Sequence, residues 1–181
     1  MSKIIHPIPN QLDNPHSCQR CAEIGPTCCS LDPGDEDSCF PLSRPEWERI
    51  VNWSEDLGAF AESPNSPTFI NTLRIFFPGE NQKIAGLFPE YAWHMRLAVD
   101  QKGACLFLGS AGCKLPREMR PWYCRIFPFW VRKGKVILLN ANKCLAFRET
   151  RTIRPALALF DTSTEDILQL YGQLRLAWGL P

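Results

Sequence analysis

The chain has 181 residues, 45% of them apolar, with 20 basic against 19 acidic side chains and a net charge of +1. That length and apolar share suffice for an ordinary hydrophobic core, and no apolar run reaches the ~18 residues that would mark a membrane span. A balance so near neutral argues against a nucleic-acid binder held by bulk charge.

Residues 1–15 carry one Lys and three Pro without the apolar stretch of a secretory leader, and read as a loosely ordered arm. Residues 16–181 read as a single cysteine-cluster domain. Cys18-x2-Cys21 opens it as a short loop on which two sulfurs can converge on one soft metal at about 2.3 Å. Gly25 and Pro26 supply a turn before Cys28 and Cys29, and neighbours in extended backbone point to opposite faces, so these two thiols should serve different places. Asp32 to Asp37 lacks the spacing of a calcium loop and reads as a solvated acidic turn. Cys39, isolated and followed by Phe40-Pro41, is left outside the ligand set, with packing and ligand readings evenly balanced.

Ser43-x-x-Glu46 is a capping box with Pro45 in the first turn, opening a helix whose Trp47, Ile50, Val51, Leu57 and Phe60 share one face to about Glu62. Ser66-Pro67 opens a second helix with Phe69, Ile70, Leu73 and Phe76-Phe77 inward until Pro78. Tyr91, Trp93, Met95, Leu97 and Val99 alternate with Ala92, His94, Arg96, Ala98 and Asp100, which predicts a strand with a largely polar outer face. Gln101-Lys102-Gly103 turns it towards a partner strand carrying Cys105 and Phe107. Cys113 and Cys124 follow among loop-forming Gly109, Gly112 and Pro116. Phe127–Arg132 and Lys135–Leu139 form a hairpin about Lys133-Gly134, Cys144 comes after it, and Thr162 to Thr164 cap a final helix bearing Ile167, Leu170, Tyr171, Leu174 and Trp178. The fold class is α+β: a short antiparallel sheet or hairpins with cysteine-bearing loops, flanked by helices at both ends.

Nine cysteines in so short a chain decide the chemistry. Disulfides need an oxidising compartment, and an odd count leaves one thiol unpaired. Soft-metal coordination by Cys18, Cys21, Cys28, Cys29, Cys105, Cys113, Cys124 and Cys144 fits better, either zinc in a four-sulfur shell or an iron–sulfur cluster. His6 and His94 lie far from any cysteine in sequence, and His16 reads as a solvated loop residue. Residues 114–135 carry seven basic side chains against one acid, whereas residues 13–62 carry eleven acids against three bases. Arg120 and Arg125 flank Cys124 closely enough to lower its pKa and to balance the two negative charges of a four-thiolate centre. Pairing of these arginines with the acidic amino-terminal half is an equal alternative. Trp122, Tyr123, Phe127, Phe129 and Trp130 would keep water from such a centre, which tunes a cluster's potential and favours iron–sulfur, as a four-iron cluster, over zinc.

The spacing Cys18-x2-Cys21-x6-Cys28-Cys29, with Cys105-Leu106-Phe107-Leu108 and Gly112-Cys113-Lys114-Leu115, resembles the zinc- or iron-chelating cysteine-cluster proteins, a small bacterial family. The element Arg120-Pro121-Trp122-Tyr123-Cys124-Arg125-Ile126-Phe127-Pro128-Phe129 carries the resemblance most specifically, over roughly residues 18–145. The Cys21–Cys28 gap is longer than the family's shortest versions, and Cys39 is an addition. A similar domain occurs in flagellin lysine methylase, where an iron–sulfur cluster is thought to support methyl transfer. The resemblance implies a cytoplasmic metal-binding protein, with cluster-assisted methyl or group transfer, alone or as an accessory subunit, as the enzymatic alternative. A thiol redox protein working through Cys18 and Cys21, and a zinc-ribbon-like module, are the others. A protein partner stays open. No Rossmann-type glycine loop appears, and whether the chain is an enzyme is left undecided.

Overall fold

A computed structural model describes residues 15–32, 34–54 and 57–180, so the predicted arm at 1–15 lies almost wholly outside the described residues. Among them the chain is α+β, with eight α-helices and three two-stranded antiparallel sheets. In order these are α1 (Pro15–Ile24), α2 (Arg44–Ser54), β1 (Phe60–Pro64), α3 (Pro67–Phe76), α4 (Asn81–Leu87), β2 (Trp93–Leu97), β3 (Leu108–Gly109), β4 (Gly112–Cys113), α5 (Trp122–Ile126), β5 (Phe129–Arg132), β6 (Lys135–Leu138), α6 (Leu145–Glu149), α7 (Ile153–Leu159) and α8 (Thr164–Ala177). No described helix is long and apolar enough to cross a membrane.

Local signals placed several boundaries. At α3 the Ser66 hydroxyl accepts from Phe69 N, and Pro67 sits where its missing N–H costs nothing. At α8 Ser163 and Asp166 form a reciprocal capping box. Glu46 accepts from both the backbone N and the hydroxyl of Ser43 at the head of α2. The β5–β6 hairpin turns through Lys133 and Gly134, both at positive φ, the backbone of a type I′ turn.

Three expectations are corrected. The helix predicted to run to Glu62 stops at Ser54, because Phe60–Pro64 is drawn into an antiparallel ladder with Trp93–Leu97. Leu57, expected on the buried helical face, is exposed. The β2 strand exists, but its faces are reversed: Trp93 is 63% exposed and Tyr91 95%, while His94 and Arg96 are buried. Most of their polar atoms have partners, which makes burial tolerable, and His94 Nε2 is the exception, buried with no hydrogen-bond partner among the described residues. His94 stacks on Phe69 at 3.8 Å and shares a hydrogen bond with Asn65, and Arg96 Nε donates to Ser63 Oγ at 2.6 Å. The expected partner strand carrying Cys105 and Phe107 is reduced to a single bridge with the preceding segment, Val99 to Cys105, while Ala104 bridges to Ser30.

The main core gathers Phe69, Leu73, Phe77, Ile84, Ile126, Phe129, Trp130, Ile167 and Leu174 from α3, α4, α5, β5 and α8. Trp130 is 1% exposed and spends its indole N–H on Phe76 O, as a buried indole should. A smaller cluster of Ile50, Ala59, Phe107 and Leu115 lies between α2 and the β3–β4 hairpin. The helices α1 and α5, strand β4 and the loops between these cores carry the cysteines.

Candidate metal centre

Cys18 and Cys21 stand on a helix rather than on the loop expected for them. Their three-residue spacing places them on one face of α1, so the two sulfurs still converge. The helix ends at a turn with Gly25 at φ +52, where Gly25 N donates to Cys21 O. Ser17 Oγ donates to Leu159 O, Arg20 pairs with Glu149, and Arg148 reaches Gly25 O. These bonds hold α1 against α6 and α7 and bring Cys21 near Cys144, the N-cap of α6. The side chain of His16 lies outside the described residues.

Cys28 and Cys29 do not face opposite ways. Thr27 to Ser30 is a turn rather than extended chain, with Cys29 N donating to Thr27 Oγ1 and Ser30 N to Thr27 O. Both thiols reach the same space, and Cys28 hydrogen-bonds Cys29. Cys105 N then donates to Cys29 O, and Leu31 N to Gly103 O, which splices the 103–113 segment beside the 27–31 turn. Gly103 has φ +82, and a Cβ there would stand 2.2 Å from Leu31 O, so only glycine fits. Gly112 lies against the Cys18 main chain and sets Cys113 beside α1. Cys124 sits on α5, whose first N–H, that of Trp122, donates to the buried Glu46 at 2.6 Å.

All nine cysteines line one cavity of about 880 Å³, and all nine are free thiols. Cys39 is therefore brought to the other eight. Phe40 stacks on Tyr123 at 4.3 Å and fixes that placement. Its apolar neighbours Phe40 and Pro41 read as packing in the sequence, and only the stack on Tyr123, 83 residues on, shows where they lead. Tyr123 and Phe127 border the cavity, whereas Phe129 and Trp130 are committed to the main core. Among the described residues no three Cys, His, Asp or Glu side chains already stand close enough to form a closed metal shell. The thiols line a room.

Burial governs the protonation of most of these thiols. Burial pushes up Cys18, Cys39, Cys113 and Cys144, raises Cys105 to about 12, and holds Cys124 well above the usual thiol value. Neighbouring thiols add to the effect, since thiolates so close repel one another. Cys28 is raised as the donor to Cys29 and by burial. Cys29 is the exception: the hydrogen bond from Cys28, aided by Thr27 and Arg120, lowers it to about 6 against its own burial. Arg120 also lowers Cys18 and Cys113 and hydrogen-bonds the latter. The expectation that Arg120 and Arg125 lower Cys124 is thus corrected. Arg120 serves Cys18, Cys29 and Cys113, and Arg125 lies over the Trp122 ring at 4.8 Å with Arg49 at 4.6 Å from the same ring. Among the described residues, ion pairing with the amino-terminal half is seen for Lys143 with Asp32 rather than for these arginines.

No family model, no curated protein and no solved structure matches the chain.

Proposed function

We propose that the chain is a cytoplasmic metal-binding protein whose cysteines hold an iron–sulfur cluster or zinc. The observation that carries the reading is the convergence of nine thiols, from segments up to 126 residues apart (18 to 144), on one cavity. The donor set is purely soft, with no histidine and with carboxylates only from Asp32 and Asp35, which suits zinc and iron–sulfur centres and not magnesium or calcium. A single zinc held by four sulfurs at about 2.3 Å leaves no cavity between them, so the volume favours a larger inorganic core.

When bound, an iron–sulfur cluster supplies one-electron transfer or a Lewis-acid iron. The chain's own part is argued from its residues. Arg120, beside Cys18, Cys29 and Cys113, offsets the negative charge that thiolates bring. Phe40, Tyr123 and Phe127 give the wall an apolar face that limits water. Cys21→Ser and Cys124→Ser should each lower the metal content of anaerobically purified protein; wild-type content in both variants would sink the reading. Methyl or group transfer finds no further residue in its favour.

One observation favours a second reading, thiol redox exchange. It moves that chemistry from Cys18 and Cys21 to Cys29, whose thiol is lowered to about 6 while Cys18 is raised. That reading expects a folded, metal-free protein in which Cys29 alkylates fastest near neutral pH.

A further inference from the structure

A second cavity, of about 290 Å³, has no cysteine in its lining. The 117–125 segment gives it Arg117 and Arg125, and the 161–173 segment gives it Asp161, Thr162, Asp166 and the amides of Gln169 and Gln173. The two segments meet because α5 packs against α8. We infer that this cavity binds a small zwitterion of amino-acid size, with its carboxylate on Arg125 and Arg117 and its ammonium towards Asp161 and Asp166. The inference stands apart from the metal-binding reading, since no thiol takes part.

The cationic side lacks an acceptor. Arg125 Nε is buried and has no hydrogen-bond partner, and a buried donor left unmet is costly. Its guanidinium lies over Trp122 at 4.8 Å, and Arg49 lies over the same ring at 4.6 Å. Burial, then the charges of Arg49, Arg117 and Arg120, hold the Arg125 pKa below its ordinary value. Glu118 offsets part of that charge, and Glu46 acts on Arg49. Among the described residues none of these four arginines forms an ion pair. A carboxylate bound by the guanidinium fork would relieve the repulsion and supply the missing acceptor.

The anionic side is open as well. Asp161, at the turn between α7 and α8, is exposed and in no ion pair among the described residues. Asp166 commits Oδ2 to Ser163 N and Oγ, so its Oδ1 can still accept. Thr162 Oγ1 adjoins Asp166 yet completes no hydrogen bond, and it is buried.

Charge and size then choose the ligand. Arg117 and Asp166 attract each other, but no direct ion pair closes the cavity. Two carboxylates in the lining disfavour a dianion such as phosphate, and two guanidiniums disfavour a diamine. A molecule with one charge of each sign meets both. The volume is that of some ten waters at ~30 Å³ each, at the small end of ligand sites. Gln169 and Gln173, four apart on α8, suit a polar side chain. Arg117 and Arg125 also border the thiol cavity, so the carboxylate would lie at the wall between the two.

The test is thermal denaturation of the full-length protein with each standard free amino acid, and with acetate, inorganic phosphate and putrescine as single-sign controls. Isothermal titration calorimetry follows for any that raise the midpoint. At least one amino acid should bind, and more tightly than all three controls. Arg125→Gln and Asp161→Asn should each weaken that binding about tenfold or more. No binding by any amino acid overturns the inference. So does a control that binds as tightly as the best amino acid, which would mark a site for one sign of charge only. Unchanged affinity in both variants places the ligand elsewhere and overturns it too. Asp161 stands at φ +46, a backbone that asparagine tolerates, so Asp161→Asn carries the test if Arg125→Gln does not fold.

Discussion

Lowering the pH by one unit should weaken the binding of zinc by any four of the raised thiols about ten-thousand-fold. Seven of the nine thiols have pKa values raised above the ordinary value of 9.0, and Cys105 reaches about 12. At neutral pH each of these is an S–H, and each must lose its proton to ligate. Binding that releases four protons has an affinity that changes by four decades per pH unit, or about 5 kcal/mol at 1.36 kcal/mol per proton. The sign follows from the direction of the shifts: raised thiols hold their protons in the metal-free state, so acid favours that state and alkali the loaded one. Chelator competition at pH 6.5 and 7.5 would measure the slope, and calorimetry in buffers of different ionisation enthalpy would count the protons directly. Cys29 sharpens the reasoning. With its pKa near 6 it is already mostly thiolate at pH 7, so a centre that used Cys29 would release three protons. A slope near one or two would mean that most ligands are pre-ionised, and the burial argument would fail.

The scaffold gives two further predictions. His94 has its pKa lowered to about 4 by burial and by Arg96, against 6.5 when unfolded, so the folded state resists protonation. Its stability contribution is complete above pH 6.5 and is lost as the pH falls towards 4, about 2 kcal/mol of it between pH 7 and pH 5. Urea unfolding at both pH values should show that loss in wild type and not in His94→Gln; equal slopes in the two proteins would contradict it. Gly103→Ala should cost about 2 kcal/mol or more, since the new Cβ meets Leu31 O at 2.2 Å on a left-handed backbone. Gly34→Ala shares the backbone (φ +85) but meets nothing within 4 Å, and should cost about 1 kcal/mol. Equal losses by chemical denaturation would show that the contact with Leu31 is unimportant.

Caps and turns were legible because their signals are local. Ser66-Pro67, the Thr162 to Thr164 cap and Lys133-Gly134 each act within four residues, and each lies where the pattern predicts, with Ser163 the observed N-cap. The faces of β2 were not legible, because period-two alternation shows that two faces differ without saying which one a neighbour covers. Phe69 and Asn65 bury His94, and neither is near it in sequence. The pairing of β1 with β2 was hidden for the same reason, since Trp47, Ile50 and Val51 set a helical period that Leu57 and Phe60 continue by chance. The reading of Cys18 and Cys21 as a loop pair followed from a spacing that a helix satisfies equally well. Extended geometry misled for Cys28 and Cys29, where the Thr27 hydroxyl builds a turn. Cys39 was obscured by its apolar neighbours. The arginine charge run was visible, but its target was not: Arg120 adjoins Cys124 in the chain and turns to Cys113 instead.

The most direct test of the central claim is elemental and sulfide analysis of the full-length protein purified without oxygen, with its visible spectrum. The account predicts bound iron with acid-labile sulfide and a brown colour, or zinc in a colourless protein, in stoichiometric amount. A folded protein with all nine thiols titratable and no metal above background would contradict it.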